Sequence, residues 1–204
     1  MKKFFAAFMA LILIFGLCAC SEEGFIPERG KVENGIYNNA AFGVSFNGDA
    51  AWSYLADEEI AASMGVSEEG IPAPEDKKAL SEAGIIYDMC CANSENGTTV
   101  NITYEDLSAT YGEVIGADYY LELYQMEIDS QIRGEKISLE KNDIDFAYID
   151  GKMYPCLKVA VNFDGTRIYE TVIVKKSGNW LCTVTVAALG ETELYDAVEL
   201  ISFE

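Results

Sequence analysis

The sequence predicts an α+β fold: an antiparallel β-sheet, closing in a C-terminal meander, flanked by helices. Three observations carry it. Four runs rich in β-branched and aromatic residues, Ile144–Ile149, Tyr154–Phe163, Arg167–Lys176 and Trp180–Ala188, are separated by Asp150-Gly151, Asp164-Gly165 and Ser177-Gly178. Such dipeptides accept the positive φ angles of tight hairpins. The stretch Ala117 to Arg133 sets Ala117, Leu121, Tyr124, Ile128 and Ile132 at spacings of 4, 3, 4 and 4, the stripe of a helix packed on a core. Both faces of the strands carry apolar residues, with Leu157, Val159, Val161 and Phe163 alternating with Cys156, Lys158, Ala160 and Asn162. A second strand pairs an apolar side of Cys182, Val184, Val186 and Ala188 with a mixed side of Leu181, Thr183 and Thr185. Neither face of such a sheet is expected to be fully open to water.

The chain begins with the basic head Met1-Lys2-Lys3 and an apolar or small-residue run of 14, Phe4 to Leu17. That run is too short to cross a bilayer, which takes about 20 residues, and it fits a signal-peptide core. Leu17-Cys18-Ala19-Cys20 follows it and resembles the lipobox of bacterial lipoproteins, in a register that only Cys20 satisfies. The resemblance implies diacylglyceryl transfer to the Cys20 sulfur and removal of residues 1–19; the alternative is a plain secretory signal in which Cys20 is incidental. Two or more acyl chains hold a protein durably at a membrane. The expected location is therefore the extracytoplasmic face of the cell membrane, lipid-anchored.

Loss of Lys2 and Lys3 with the leader takes the net charge from −20 to −22. Such a surface repels nucleic-acid phosphates and anionic headgroups, which excludes DNA or RNA as partner and leaves the lipid to do the anchoring. Ser21 to Asn34 has charges, Gly24, Pro27 and Gly30 and no periodicity, so residues 20–34 are expected to form a lipidated, flexible tether. Residues 35–204 show no second linker or repeat and are expected to form a single domain, long enough to bury one core unaided.

Within it, Asp57-Glu58-Glu59 opens a short helix with negative charge at its positive end. Pro74 to Ala83 makes another, ended by Gly84, and Asn96-Gly97 joins Ile85–Ala92 to Thr98–Tyr104 as a hairpin. In the long helix Asp118, Glu122, Gln125 and Asp129 lie opposite the apolar stripe and Gly134 is the stop. Thr192 to Ile201 forms a last helix, with Leu194, Ala197, Val198 and Ile201 on one side.

Ile36-Tyr37-Asn38-Asn39, Phe42-Gly43-Val44-Ser45-Phe46 and Trp52 resemble the opening of PsbP-like domains, although the Pro expected before the Gly-Trp is replaced by Asn47-Gly48-Asp49-Ala50-Ala51. The order of elements continues the resemblance to a finish on Ser202-Phe203. The chain is also similar to small lipoproteins of anaerobic Gram-positive bacteria. The resemblance implies a PsbP-like α/β/α sandwich used as a binding or scaffolding module, and it carries over no catalytic residue.

The chemistry is bounded by composition. There is no histidine, which removes His-based acid–base work, Ser-His and Cys-His pairs and His metal ligation. No phosphate-cradling glycine loop occurs. Glu68-Glu69 and Asp143 with Asp145 are paired carboxylates, which a glycosidase would need across a cleft; the alternative is solvated surface. Asn142, Asp143, Asp145 and Asp150-Gly151 hint at calcium but lack the alternating ligands of a calcium loop, and a plain hairpin is the other reading. No catalytic residue, cofactor or metal site is assigned. If both flanking turns are two-residue turns, Cys156 and Cys182 each pair with Ile173 and lie too far apart to bridge. Cys90 and Cys91 point to opposite faces, so four free thiols are expected, with one bridge to Cys90 or Cys91 as the alternative. Trp52, Tyr119 and Tyr120, with Tyr124 and Trp180, could line an interaction surface for a sugar or peptide; core packing is the other reading. The expected function is a non-enzymatic binding or scaffolding lipoprotein whose partner is an envelope protein or a small ligand. The alternative is a His-independent envelope hydrolase using carboxylates or a thiol.

Overall fold

The computed structural model describes residues 27–108, 116–132 and 137–204; the leader, Cys20 and Gly134 lie outside them. In chain order the elements are β1 (Lys31–Glu33), β2 (Ile36–Asn39), β3 (Val44–Asn47), β4 (Trp52–Tyr54), α1 (Asp57–Met64), α2 (Lys77–Glu82), β5 (Ile85–Asn93), β6 (Thr99–Asp106), α3 (Ala117–Gln131), β7 (Ile137–Ile149), β8 (Lys152–Phe163), β9 (Thr166–Ser177), β10 (Trp180–Ala188), α4 (Glu191–Val198) and β11 (Ile201–Phe203). The fold is α+β, and both sheets are antiparallel throughout. The large sheet has the order β4-β5-β6-β10-β9-β8-β7, the small one β1-β2-β3-β11.

Turn chemistry fixes the meander. Asp150 and Gly151 have φ of 52° and 76°, and Asp164 and Gly165 have 50° and 86°, so each pair makes a two-residue hairpin between β7, β8 and β9. The third turn departs from expectation. Ser177 pairs with Trp180, so the turn residues are Gly178 and Asn179 rather than Ser177 and Gly178. Gly178 supplies the positive φ at the first turn position, and the shift moves the partner of Cys182 from Ile173 to Lys175.

Each face of the large sheet carries its own cover. On one side α3 lays Leu121, Ile128 and Ile132 onto Leu157, Val159, Val161, Val172, Val174 and Leu181, while α1 packs Ile60, Ala61 and Met64 on Tyr87 and Cys90. On the other side the cover is mixed rather than purely helical. Tyr37, Phe42, Val44 and Phe46 of the small sheet and its turn share a core with Leu194 and Ala197 of α4 and with Ile102, Tyr104, Ile173 and Val184 below. Phe42 stacks on Tyr104 with ring centroids 3.7 Å apart.

The C-terminal helix is shorter than its apolar stripe suggests. It ends at Val198, and Ile201–Phe203 pairs with β3 as a strand, because these residues complete the small sheet. Lys175 ties that join together, its ammonium donating to the carbonyls of Phe42, Gly43 and Glu204 at 2.8–3.1 Å.

The tether assignment needs correction at its C-terminal part. Residues 27–34 belong to the fold: Lys31–Glu33 pairs with β2, and Asn34-Gly35, with φ of 53° and 82°, is a hairpin turn. The reason is Arg29, whose side chain is buried and chelates Asp57 at 2.7 and 2.8 Å.

Candidate functional site

Three places in the described residues concentrate unusual chemistry. The first is the centre of β5, where a bulge between Tyr87 and Met89 accommodates Asp88. Its buried carboxylate accepts from the Gly30 amide at 2.9 Å, the Tyr37 hydroxyl at 2.5 Å and the Asn39 amide at 2.8 Å. Arg29 Nε lies 3.4 Å away, and Arg29 Nη2 also donates to the Asp88 carbonyl. Burial pushes the Asp88 carboxyl above its ordinary range, against the pull of these donors. The cluster is a lock: it fastens the segment before β1 to the large sheet. The sequence carried its signal, a lone acid inside the apolar run of β5.

The second is the floor beneath α3. Residues opposite one another in the registers share a face, and on the helix side β6 presents Thr99, Asn101, Thr103 and Glu105, β10 Thr183 and Thr185, and β9 Glu170. All seven are buried. Glu105 accepts from the Tyr120 hydroxyl at 2.9 Å, and burial raises its pKa. Glu170 is 5 % exposed; burial alone pushes it up to about 8. Tyr87, Thr103, Glu105, Tyr120, Tyr124 and Thr183 enclose a void of about 20 Å³, room for one water. Among the described residues the Tyr124 hydroxyl has no hydrogen-bond partner, and such a water would supply one.

The third is a surface. On the helix side of the β7–β8 hairpin, beyond the cover of α3, Ile144, Phe146 and Tyr148 follow one another at alternate positions of β7, with Pro155 and Met153 opposite Phe146 and Tyr148. Phe146 is 50 % exposed, Met153 57 % and Tyr148 72 %. Residues 137–177 hold six basic and six acidic side chains, so the whole net charge of −20 lies elsewhere in the chain. This is an apolar stripe on strands without net charge in a strongly acidic molecule.

Of the two readings of the aromatic residues, core packing holds for all but Tyr119. Trp52 is 9 % exposed and packs edge-on against Phe46 at 4.9 Å, in the core on the opposite face of the sheet. Tyr119 is exposed on α3, but Tyr120 turns inward to Glu105, as successive helical residues about 100° apart must. Tyr124 and Trp180 are likewise packed inward. Sequence reasoning missed Ile144, Phe146 and Tyr148: their alternation marked a strand, and nothing local says which face α3 leaves open.

The calcium hint dissolves in the same way. Asn142 donates to the Gln125 carbonyl and to Asp129, Lys158 holds Asp145 at 2.6 Å and keeps its carboxyl below the ordinary range, and Asp150 accepts the Phe203 amide. Asn142, Asp145 and Asp150 thus serve different partners. Among the described residues no three Cys, Asp or Glu side chains converge on a common point to hold a metal. Glu68 and Glu69 sit on an exposed helical turn.

Cys90, Cys91, Cys156 and Cys182 are free and buried. Burial pushes Cys90 up to about 12 and Cys156 up to about 11, and raises Cys91 and Cys182 as well. Thiols in that state are inert, since the thiolate is the nucleophile. Iodoacetamide at pH 8 is expected to leave all four unmodified in native buffer and to alkylate them in urea. Rapid native labelling of any one, read by mass spectrometry, would contradict this geometry.

No protein-family model matches the chain, and no curated protein matches it. Among solved structures it is similar to cyanobacterial PsbP from Synechocystis sp. PCC 6803, at 12 % identity and a TM-score of 0.48, over 91 % of this chain and 98 % of that one. It is similar to LpqN, involved in cell envelope biogenesis of Mycobacterium tuberculosis, at 11 % identity and a TM-score of 0.43, over 78 % and 82 % of the two chains. A Bacteroides thetaiotaomicron structure matches at 11 % identity and a TM-score of 0.41, over 87 % of this chain and 48 % of that one. Among the described residues no helix is long and apolar enough to cross a membrane.

Proposed function

We propose that this chain is a non-enzymatic docking module, held at the extracytoplasmic face of the cell membrane by lipid on Cys20, with the β7–β8 stripe as its contact surface. The observation that carries the reading is the stripe itself. Ile144, Phe146, Tyr148 and Met153 are contiguous, exposed and apolar, and exposed apolar patches on soluble domains mark interaction sites. Its own strands, residues 137–177, carry no net charge, and the acids nearest to them belong to α3, Asp129 among them. The PsbP-like pattern of the sequence agrees with a binding or scaffolding role.

The hydrolase alternative finds little support in the site. The thiols are buried with raised pKa values, and Asp145, half of the Asp143–Asp145 pair, is engaged with Lys158.

Two measurements test the proposal. Cys20→Ala is expected to move the protein from the membrane fraction to the soluble or unprocessed pool; unchanged fractionation would remove the lipid anchor from the reading. A photo-cross-linking amino acid at Tyr148 is expected to trap a partner in intact cells, whereas one at Tyr119 is not. Equal trapping at both positions would mean that the stripe is no specific surface.

A further inference from the structure

We infer that the partner at the β7–β8 stripe is a second copy of this chain, joined edge to edge through β7 about a two-fold axis at Phe146. The inference rests on the docking reading above and adds the occupant and its register. Three features of the strand lead to it.

β7 is the end strand of the large sheet and, among the described residues, pairs with no strand but β8; its Asn142 carbonyl accepts from Gln125 of α3, and its Phe146 amide donates to the Asp145 carboxylate. An edge of 13 residues with an apolar face is a template for another strand unless it is blunted. The irregularity between Leu139 and Lys141 and the Gln125 contact at Asn142 close the N-terminal end, which leaves Asp143 to Ile149 to pair, with the partner strand replacing Asp145 at the Phe146 amide.

The regular segment is self-complementary in one register. Antiparallel pairing about Phe146 sets Ile144 against the partner subunit's Tyr148 and Phe146 against its own copy, so the stripe continues across the junction. On the other face Asp145 meets the partner subunit's Ala147 and Asp143 meets the partner subunit's Ile149, so no acid faces an acid. Registers centred on Asp143, Ile144 or Asp145 each place an aspartate opposite an aspartate. A register centred on Ala147 puts Ile144 against Asp150. Phe146 is thus the centre that the charges and the stripe both select.

Charge also selects the partner. Two copies of a −20 chain repel over most of their surface, but residues 137–177 carry no net charge. These strands are the part of the chain where like copies meet the least repulsion, and salt is expected to strengthen the pairing by screening the acids of α3 and the remainder.

The test uses the full chain in detergent, with Cys18→Ser and Cys20→Ser so that only introduced thiols are accessible. Directly opposite residues of antiparallel strands have Cα atoms about 4.5–5.5 Å apart, within disulfide range. Phe146→Cys is expected to form a cross-linked dimer on mild oxidation. Ile144→Cys alone is expected to form none, and Ile144→Cys combined with Tyr148→Cys is expected to restore it. In sedimentation the parent chain is expected to dimerise with concentration, and Phe146→Glu to abolish the dimer without moving the thermal midpoint. A dimer that survives Phe146→Glu, or that Ile144→Cys alone traps as well, overturns the β7 geometry. A chain that stays monomeric while its Tyr148 cross-linker traps a different envelope protein overturns the second copy and leaves the docking reading standing. A monomer that traps nothing overturns both.

Discussion

Asp88→Ala is expected to cost about 3–5 kcal/mol of stability, the range for breaking a buried ion pair by removing one member. The carboxylate is fully buried, and its removal strands the Gly30 amide, takes one of two acceptors from the Asn39 amide and leaves Arg29 with Asp57 as its only acid among the described residues. Asp57 continues to pair with Arg29 but is itself 44 % exposed, so it compensates only part of that charge. Asp88→Asn keeps the shape and loses the charge, and its cost is expected to fall between wild type and Asp88→Ala. If Asp88→Ala proves too unstable to purify, Arg29→Met with Asp88→Leu removes both charges together and is expected to recover much of the loss. Urea denaturation measures the cost. Hydrogen exchange supplies the structural readout, since the Gly30 amide is protected in the lock and unprotected without it. An Asp88→Ala protein within about 1 kcal/mol of wild type, with Gly30 still protected, would show that the lock does not hold the segment.

Glu170→Gln has the second large effect, and it depends on pH. In the unfolded chain Glu170 ionises near the ordinary value of about 4.3. In the folded chain it keeps its proton up to about 8, because burial under α3 disfavours the charged form. Between those values the unfolded state binds fewer protons, so stability falls as pH rises through the window and the whole penalty is present above pH 8. The difference corresponds to about 5 kcal/mol as an upper bound. Glu105, Tyr120 and Tyr124 lie on the same face and stay in place in the variant. Glu170→Gln is therefore expected to match wild type near pH 4 to within a small change and to be several kcal/mol more stable at pH 8–9. Urea midpoints taken across that range test it. Parallel profiles for the two proteins would place the Glu170 carboxylate in a solvated or paired setting.

The same residues show how much could be read in advance. Asp150-Gly151 and Asp164-Gly165 determine their hairpins locally, since two adjacent positive φ angles are a property of the dipeptide. The stripe of α3 was legible for a like reason, because Leu121, Ile128 and Ile132 share a face by helical period alone. Asn34-Gly35 carried an equal signal, but the charged, aperiodic residues before it read as tether. Their order comes from Asp57 and Asp88, 28 and 59 residues away in sequence. By residue type Trp52 and Tyr120 fitted either a contact surface or the core, and both pack inward.

What the sequence determined by itself is the class of fold, the turns at Asp150-Gly151 and Asp164-Gly165 and the identity of the long helix, all governed by bonds spanning a few residues. The tertiary structure alone decided the rest. Whether Gly178 stands first or second in its turn moves Cys182 two residues along β9, and both choices satisfy the local pattern. An alternation such as Ile144-Asp145-Phe146-Ala147-Tyr148 marks two faces without saying which of them is covered. That depends on where α3 lands, and the landing is settled by the packing of Leu121 and Ile128 on strands far along the chain. Burial is a property of the assembled layers, so the exposed stripe and the buried acids appear only once the layers meet.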